Sequence, residues 1–136
     1  MLKSFDWPVR VYYEDTDSGG VVYYANYLKF MERARTEWLR TAGFEQDALI
    51  RDRQIIFAVR TVQLDYLRPA RFNDQLIVSV ALVKAGRASL TLNQSVHKVD
   101  DDRPLCTGVV KIACLDSNSF KPRSIPQDIA TCMVHE

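Results

Sequence analysis

The sequence predicts an α+β fold in which an antiparallel sheet of about five strands wraps around one long helix. Two observations predict it. One stretch of about sixteen residues has helical periodicity, and four later stretches alternate apolar and polar residues and are joined by short turns. Short turns favour antiparallel neighbours, because parallel strands need a longer crossover. The chain has 136 residues, and we expect residues 1–136 to form a single domain with its own core.

The first strand is predicted over residues 7–13, where Val9 and Val11 alternate with polar neighbours. Pro8 lies near its start, where a strand tolerates a residue without an N–H. Residues 15–20 are polar and glycine-rich, which is typical of a loop.

The long helix is predicted from an apolar stripe whose members recur at steps of three or four: Tyr27, Met31, Ala34, Trp38 and Ala42. Asn26 is the candidate N-cap, and Gly43 stands where a C′ residue belongs. About sixteen helical residues span roughly 24 Å. A short second helix is predicted over residues 46–53.

Four more strands are predicted over residues 56–66, 73–82, 88–96 and 105–115. In the first of them, Ile56 and Ala58 share a face with Leu64, and Arg60 interrupts the alternation. Turns are predicted at 85–86 and 100–104, and the tail from Asp116 shows no strong periodicity.

Composition narrows the function classes. The net charge of +1 gives no overall field for nucleic acid or a membrane surface. Three cysteines without a CxxC pair favour a reducing compartment over a disulfide framework. The N-terminus lacks the apolar region of a signal peptide, and no stretch is apolar enough to span a membrane. A cytoplasmic protein is therefore expected.

Histidine, metal and nucleotide chemistries are poorly represented. Of the two histidines, His135 is next to the C-terminus, where we expect fraying, and His97 reads as an exposed polar strand residue. No cluster has metal-ligand spacing, and no glycine-rich nucleotide motif is present, so neither a metal nor a cofactor is expected.

Carboxylates are the remaining candidates for reactive groups. Glu14, Asp15 and Asp17 precede the Gly19-Gly20 pair and the long helix. A carboxylate beside a helix N-terminus, with its free N–H groups and partial positive charge, suits attack on a polarised carbonyl. The alternative is an Asx-turn that enters the helix. Spacing alone leaves both open.

The run YYEDTDSGGVVYYANYLKFMERARTEWLR resembles the signature of the hot-dog-fold acyl-CoA thioesterases. The most similar group is named for 4-hydroxybenzoyl-CoA thioesterase, and within it the Tol–Pal-cluster thioesterases. The segments Asp65–Asp74 and Lys121–Pro126 also resemble family segments. The resemblance implies a hot-dog fold and hydrolysis of acyl-CoA without a cofactor.

The resemblance also implies site residues. Asp17 matches the catalytic carboxylate, as nucleophile or as general base for water, and Asp15 matches a neighbouring acid of the loop. Tyr24 matches the position whose backbone N–H polarises the thioester, although many Tol–Pal-type members have His there. Gly20 gives backbone freedom beside the reacting centre.

Basic residues near turns are candidates for the coenzyme A phosphates. Arg87 is the first choice, because family members hold the nucleotide end at that turn, and Arg123 lies in the tail. The family implies edge-to-edge homodimers or homotetramers with sites at subunit interfaces. Two alternatives stay open: a hot-dog hydratase or dehydratase, which would pair a His with an acid, and a module that binds acyl-CoA or acyl carrier protein with little catalysis.

Overall fold

The computed structural model describes residues 4–134, so His135 lies outside the described part. The five strands are β1 (Ser4–Arg10), β2 (Ile55–Tyr66), β3 (Gln75–Ala85), β4 (Ser89–Lys98) and β5 (Asp101–Asp116). The helices are α1 (Asn26–Thr41), α2 (Gln46–Arg53) and α3 (Gln127–Val134), and a single 3₁₀ turn covers Tyr13–Asp15. The predicted α+β architecture is confirmed.

The strands form one antiparallel sheet in the order β1-β3-β4-β5-β2. Strands β3, β4 and β5 are consecutive hairpins, and β1 and β2 are the two edges. Helix α1 packs across β1, β3 and β4, with Phe30, Met31, Ala34 and Trp38 buried against the sheet. This leaves the helix-facing side of β2 partly uncovered, and Val59 and Val62 are 48% and 40% exposed there.

The length of α1, 16 residues, agrees with the periodicity. It ends as predicted, because Gly43 has a φ of +100° and its N–H donates to the Arg40 carbonyl (2.9 Å). The N–H of Phe44 donates to the Leu39 carbonyl (3.0 Å), which completes a Schellman motif.

The predicted N-cap is wrong. Asn26 is the first helical residue, and Ala25 precedes it without a side-chain cap. The Asn26 side chain is buried and its Nδ2 donates to the Asp15 carbonyl (2.8 Å). Its amide therefore ties the helix to the preceding loop instead of capping the helix.

The face assignment in the first half of β2 is also wrong. The register with β5 shifts between Val59 and Thr61, so Arg60 is the extra residue of a β-bulge. An extra residue reverses the alternation. Phe57 and Val59 therefore border the same cleft as Trp38 of α1, and Ile56 and Ala58 face the other side.

Element boundaries differ from the prediction at three places. Strand β1 begins at Ser4 and ends at Arg10, so Tyr13 lies in the 3₁₀ turn and is 80% exposed. Strand β5 begins at Asp101 after a two-residue turn, so the turn predicted at 100–104 is mostly strand. The tail forms α3, which buries Ile129 and Met133. None of the helices within residues 4–134 is long and apolar enough to cross a bilayer.

Candidate active site

The acid-rich loop folds back on itself as a short hairpin. Thr16 pairs with Val22, and the N–H of Asp17 donates to the Val21 carbonyl (2.9 Å). The turn closes when the N–H of Gly20 donates to the Asp17 carbonyl (3.0 Å). Gly20 has a φ of +80°, a conformation that a residue with a Cβ rarely adopts. The predicted need for backbone freedom at this position therefore has a geometric basis.

The Asp17 carboxylate is exposed, and one of its two oxygens is hydrogen-bonded. Its Oδ1 accepts a hydrogen bond from the Gly19 N–H (2.8 Å), which is the Asx-turn that the sequence left open. Within residues 4–134, Oδ2 accepts no hydrogen bond. The turn thus orients the carboxylate and leaves one oxygen for a ligand.

Asp15 holds the loop in shape. Its Oδ2 accepts from the Tyr12 N–H (2.8 Å). Its backbone carbonyl accepts from the Tyr23 N–H (2.9 Å) and from Asn26 Nδ2 (2.8 Å). The Asp15 carboxylate therefore stabilises the conformation of the loop.

The entrance of α1 presents backbone donors. In the part of the chain that the structure describes, the N–H groups of Tyr24 and Ala25 make no hydrogen bond. The Tyr24 carbonyl accepts from the Tyr66 hydroxyl (3.1 Å), so β2 fixes the backbone at this point. Tyr24 lies three residues beyond Val21, which puts its N–H no more than about 10 Å along the hairpin from Asp17.

An apolar cleft of about 270 Å³ opens beside this entrance. It is lined by Val22, Tyr24, Tyr27, Tyr66, Leu67, Arg68 and Pro69. Tyr27 is buried, and its hydroxyl accepts from the Ala70 N–H (3.1 Å), which holds the β2–β3 connection against the helix. Burial raises the pKa of the Tyr27 and Tyr66 hydroxyls above 10.0, so both are neutral at neutral pH and neither is a general base there.

A larger cavity, of about 410 Å³, lies on the opposite face of the sheet. Its lining includes Ser79 and Ser95, which alternate with buried residues of β3 and β4 and share a 2.7 Å hydroxyl contact. Neither Asp17 nor Tyr24 borders it, so size alone does not identify the reacting site.

Arg87 and Arg123 lie far from Asp17 within one chain. Arg123 Nη1 donates to the Arg53 and Gln54 carbonyls (2.9 and 3.2 Å), just before β2 begins. The Arg87 carbonyl accepts from the Ile125 N–H (2.8 Å), which places this exposed turn beside the same end of the sheet. Tyr24 is bonded to the other end of β2. Strand β2 has 12 residues, so its ends are eleven residue steps apart, about 36 Å at about 3.3 Å per step.

His97, the histidine within residues 4–134, does not line the cleft beside the start of α1. His97 is half-buried on β4, and its Nδ1 contacts the neighbouring Lys98 carbonyl (2.7 Å). Among residues 4–134, no group of three or more His, Cys, Asp or Glu side chains could hold a metal.

Sequence reasoning missed the residues that hold the site together, namely Asn26, Tyr66 and the hydroxyl of Tyr27. Asn26 carried a signal, because a buried amide at a helix start needs a hydrogen-bond partner. The Tyr66 contact had no local signal, since it joins residues 42 positions apart.

Many known proteins are similar to this chain in sequence. The model of the thioesterase-like superfamily matches residues 11–131. The acyl-CoA thioesterase YbgC of Haemophilus influenzae is 41% identical over 133 residues, 98% of this chain and 96% of the relative. The acyl-CoA thioester hydrolase YbgC of Escherichia coli O6:H1 is 43% identical over 125 residues, 92% of each chain.

Solved structures agree on the fold. The 1,4-dihydroxy-2-naphthoyl-CoA thioesterase Slr0204 from Synechocystis superposes with a TM-score of 0.89 over 96% of this chain and 95% of its own, at 22% identity. At this identity the structural similarity supports the fold alone, and the similarity to the two YbgC proteins supports the family. The chain has the hot-dog fold and belongs to the thioesterase-like superfamily.

Proposed function

We propose that this protein hydrolyses acyl-CoA thioesters at the junction of the acid loop and α1. One observation carries the proposal. The exposed Asp17 carboxylate has one oxygen free of hydrogen bonds within residues 4–134, and it lies close along the chain to the Tyr24 N–H, which is also unpaired among those residues. The reaction class is supported by relatives at 41% and 43% identity that are named as acyl-CoA thioester hydrolases.

The chemistry needs few groups because a thioester is already activated. Either Asp17 Oδ2 bonds to the carbonyl carbon, or it takes a proton from a water that does so. In both routes the carbonyl oxygen becomes an oxyanion, which the Tyr24 N–H and the positive end of α1 stabilise. The carbon–sulfur bond then breaks and the coenzyme A thiolate leaves. One such donor is typically worth about 2.7–4 kcal/mol. In the nucleophile route, water afterwards hydrolyses the acyl–Asp17 anhydride.

Replacing Asp17 with asparagine tests the proposal. Hydrolysis of short-chain, long-chain and aromatic acyl-CoAs should fall by at least a hundredfold, while circular dichroism and the thermal midpoint stay close to wild type. Glu14→Gln is the matched control, since Glu14 is an exposed acid of the same loop, and its activity should stay within about twofold. Undiminished turnover by folded Asp17→Asn would contradict the proposal. Slow turnover by wild type together with strong capture of acyl carrier protein would favour the binding-module alternative.

A second copy of the chain would complete the site. Strand β1 is a poor pairing edge because Pro8 lacks an N–H. Strand β2 is the other edge of the sheet and contains no proline, so its N–H groups can pair with another strand. Antiparallel pairing of β2 with the β2 of a second copy would set the Ile55 end of one chain beside the Tyr66 end of the other. Arg87 and Arg123 of one copy would then approach the cleft of its neighbour and meet the coenzyme A phosphates there.

Mixed dimers test this arrangement. Asp17→Asn and Arg87→Ala chains should each be impaired alone, through kcat and through KM for acyl-CoA respectively. After unfolding and refolding together, about half of the dimers should be mixed and contain one intact site, which restores about a quarter of wild-type activity. The absence of any recovery, in dimers confirmed by sedimentation, would place Arg87 outside the neighbour's site and leave the Asp17 assignment untouched.

A further inference from the structure

Arg35 is a partly buried cation without a bonded carboxylate. It lies on the sheet side of α1, half-buried, and its Nη1 donates to Gln94 Oε1 (2.9 Å). Within residues 4–134 it forms no ion pair, although the nearby Glu32 stabilises its charge. Burial lowers the pKa of the Arg35 guanidinium from 12.5. Even partial burial of a charge that has no ion-pair partner is unfavourable, so packing alone does not explain this position.

Gln94 fixes where the guanidinium lies. Its side chain is 2% exposed, and its Nε2 donates to the Met31 carbonyl (3.1 Å) and to the Ser79 carbonyl (3.3 Å). Because both acceptors are backbone carbonyls, the amide cannot be reversed, and its oxygen must face Arg35. The guanidinium is therefore held close to the level of Met31 on α1.

The remaining nitrogens of Arg35 are open to solvent. Nε and Nη2 donate to no described residue. No described side-chain nitrogen or oxygen is both shielded from solvent and without a partner, so these two atoms are accessible. Arg35 borders a cavity of about 100 Å³ with a polar rim of Glu32, Thr36 and Gln46 and an apolar floor that includes Phe57 and Val59.

This cavity and the cleft at Tyr24 are separate, and both lie between α1 and β2. The helix runs antiparallel to β2, with Tyr24 beside Tyr66 at one end and Trp38 beside Phe57 at the other. Between the two ends, Leu28 and Val62 are each 40% exposed. We call this surface, from Tyr24 and Tyr66 to Val59, the acyl trough.

The helix sets the distance between the Tyr24 N–H, which is the proposed oxyanion donor, and the Arg35 guanidinium. Met31 lies seven residues beyond Tyr24, about 10 Å at 1.5 Å per residue. Carbon–carbon bonds of about 1.5 Å advance an extended chain by about 1.3 Å each, so about eight carbon atoms fill that distance.

We propose that Arg35 is a specificity-determining residue that closes the acyl trough and restricts the substrates to acyl groups of up to about eight carbon atoms. The inference rests on the proposed function. An apolar chain that continued past the guanidinium would cover N–H donors and a charge without offering an acceptor, which is unfavourable. Shorter acyl groups end on Leu28 and Val62 and leave the guanidinium solvated through the polar rim.

The test is the chain-length profile of kcat/KM for butyryl-, octanoyl-, dodecanoyl- and palmitoyl-CoA. For the wild-type protein we expect a fall of at least about tenfold between octanoyl- and dodecanoyl-CoA. Arg35→Met keeps the length of the side chain and removes the charge, and it should bring the dodecanoyl and octanoyl values within about threefold of each other. Arg33→Met, on the exposed face of the same helix, is the control and should retain the wild-type profile.

Two results would overturn the assignment. One is a wild-type protein that hydrolyses palmitoyl-CoA as efficiently as octanoyl-CoA, which needs no variant to observe. The other is a folded Arg35→Met protein that keeps the wild-type limit. If Arg35→Met does not fold, Arg35→Lys keeps the charge and should keep the limit, and a shifted limit in that variant would also count against Arg35. Undiminished hydrolysis by Asp17→Asn would instead refute the proposed function itself.

Discussion

Replacing Asn26 with alanine removes the side-chain hydrogen bond that joins the start of α1 to the acid loop. The bond runs from Asn26 Nδ2 to the Asp15 carbonyl over 2.8 Å, and Asn26 is only 9% exposed. Asp15 is two residues from Asp17, and Asn26 is two residues from Tyr24. The change therefore acts on the relative position of the proposed carboxylate and the proposed oxyanion donor.

The structure indicates a modest loss of stability. The Asp15 carbonyl keeps its hydrogen bond from the Tyr23 N–H (2.9 Å), so no buried acceptor is left unpaired. The cost is then that of one net hydrogen bond, about 1 kcal/mol, with a small addition for lost packing. For a chain of this size, the thermal midpoint should fall by about 3–6 °C.

The expected catalytic loss is larger than the loss of stability. A displacement of the loop by about 1 Å is enough to cost a hundredfold in rate, and we expect kcat to fall by about tenfold or more. The KM for acyl-CoA should change little, since the acyl trough and the basic residues are not altered. Asn93→Ala is the matched control, because Asn93 is exposed on the outer face of the sheet.

A double-mutant cycle separates positioning from general damage. In an Asp17→Asn background, Asn26→Ala should cause no further loss of the residual rate, while its effect on the thermal midpoint should be unchanged. The reasoning is refuted if the two rate losses multiply, or if Asn26→Ala loses the expected stability and keeps its full kcat.

Three further predictions concern stability. Tyr27→Phe leaves the buried Ala70 N–H without its acceptor and should lower the free energy of unfolding by about 1–3 kcal/mol in urea titrations; no loss would mean that this N–H finds another partner. Gly43→Ala forces a Cβ into a φ of +100° and should cost about 1 kcal/mol by the same measurement, so an unchanged midpoint would argue against the Schellman geometry. Arg53 bonds to both oxygens of the largely exposed Asp128 (2.9 Å each) and lowers the pKa of that carboxyl, so the pair stabilises the fold above the unfolded pKa of about 3.9 and ceases to do so as pH falls through the folded value. Asp128→Asn should therefore unfold more easily than wild type at about pH 7 and equally easily at about pH 2, and a difference that persists in acid would contradict this account.

Where local patterning determines structure, the sequence was a sufficient guide. The apolar stripe of α1 and the glycine at its end define a helix without reference to any partner. The alternation of apolar and polar residues likewise predicts β3, because Leu76, Val78 and Val80 all face one core. The sequence also carried a signal that was missed in the tail, since Ile125, Ile129 and Met133 recur at steps of four and are buried.

What the sequence could not predict depends on contacts between distant segments. Arg60 interrupts the alternation in the sequence, but only the pairing of β2 with β5 shows that it is the extra residue of a bulge that reverses the faces of the strand. The loop that carries Asp17 could be found from its acids and glycines. The sequence did not show that Tyr24 contacts one end of β2 and Arg123 the segment before its other end, about 36 Å away. Arg123 was expected to be available for a ligand, and the structure uses part of its guanidinium to bind the carbonyls that end α2.

The strand order has a consequence for how the protein folds. The three central strands are consecutive along the chain and need only short loops to pair. By contrast, β1 pairs with residues 65 to 77 positions away (Arg10 with Gln75, Ser4 with Ala81), and β2 with residues 40 to 61 positions away (Tyr66 with Cys106, Ile55 with Asp116). Closing long loops costs entropy before contacts compensate it, so β3, β4 and β5 are favoured to pair early and the edge strands to join late. The acid loop directly follows β1, and the acyl trough is bounded by β2. The parts that we propose to perform catalysis are therefore expected to be assembled last during folding and to open first under stress.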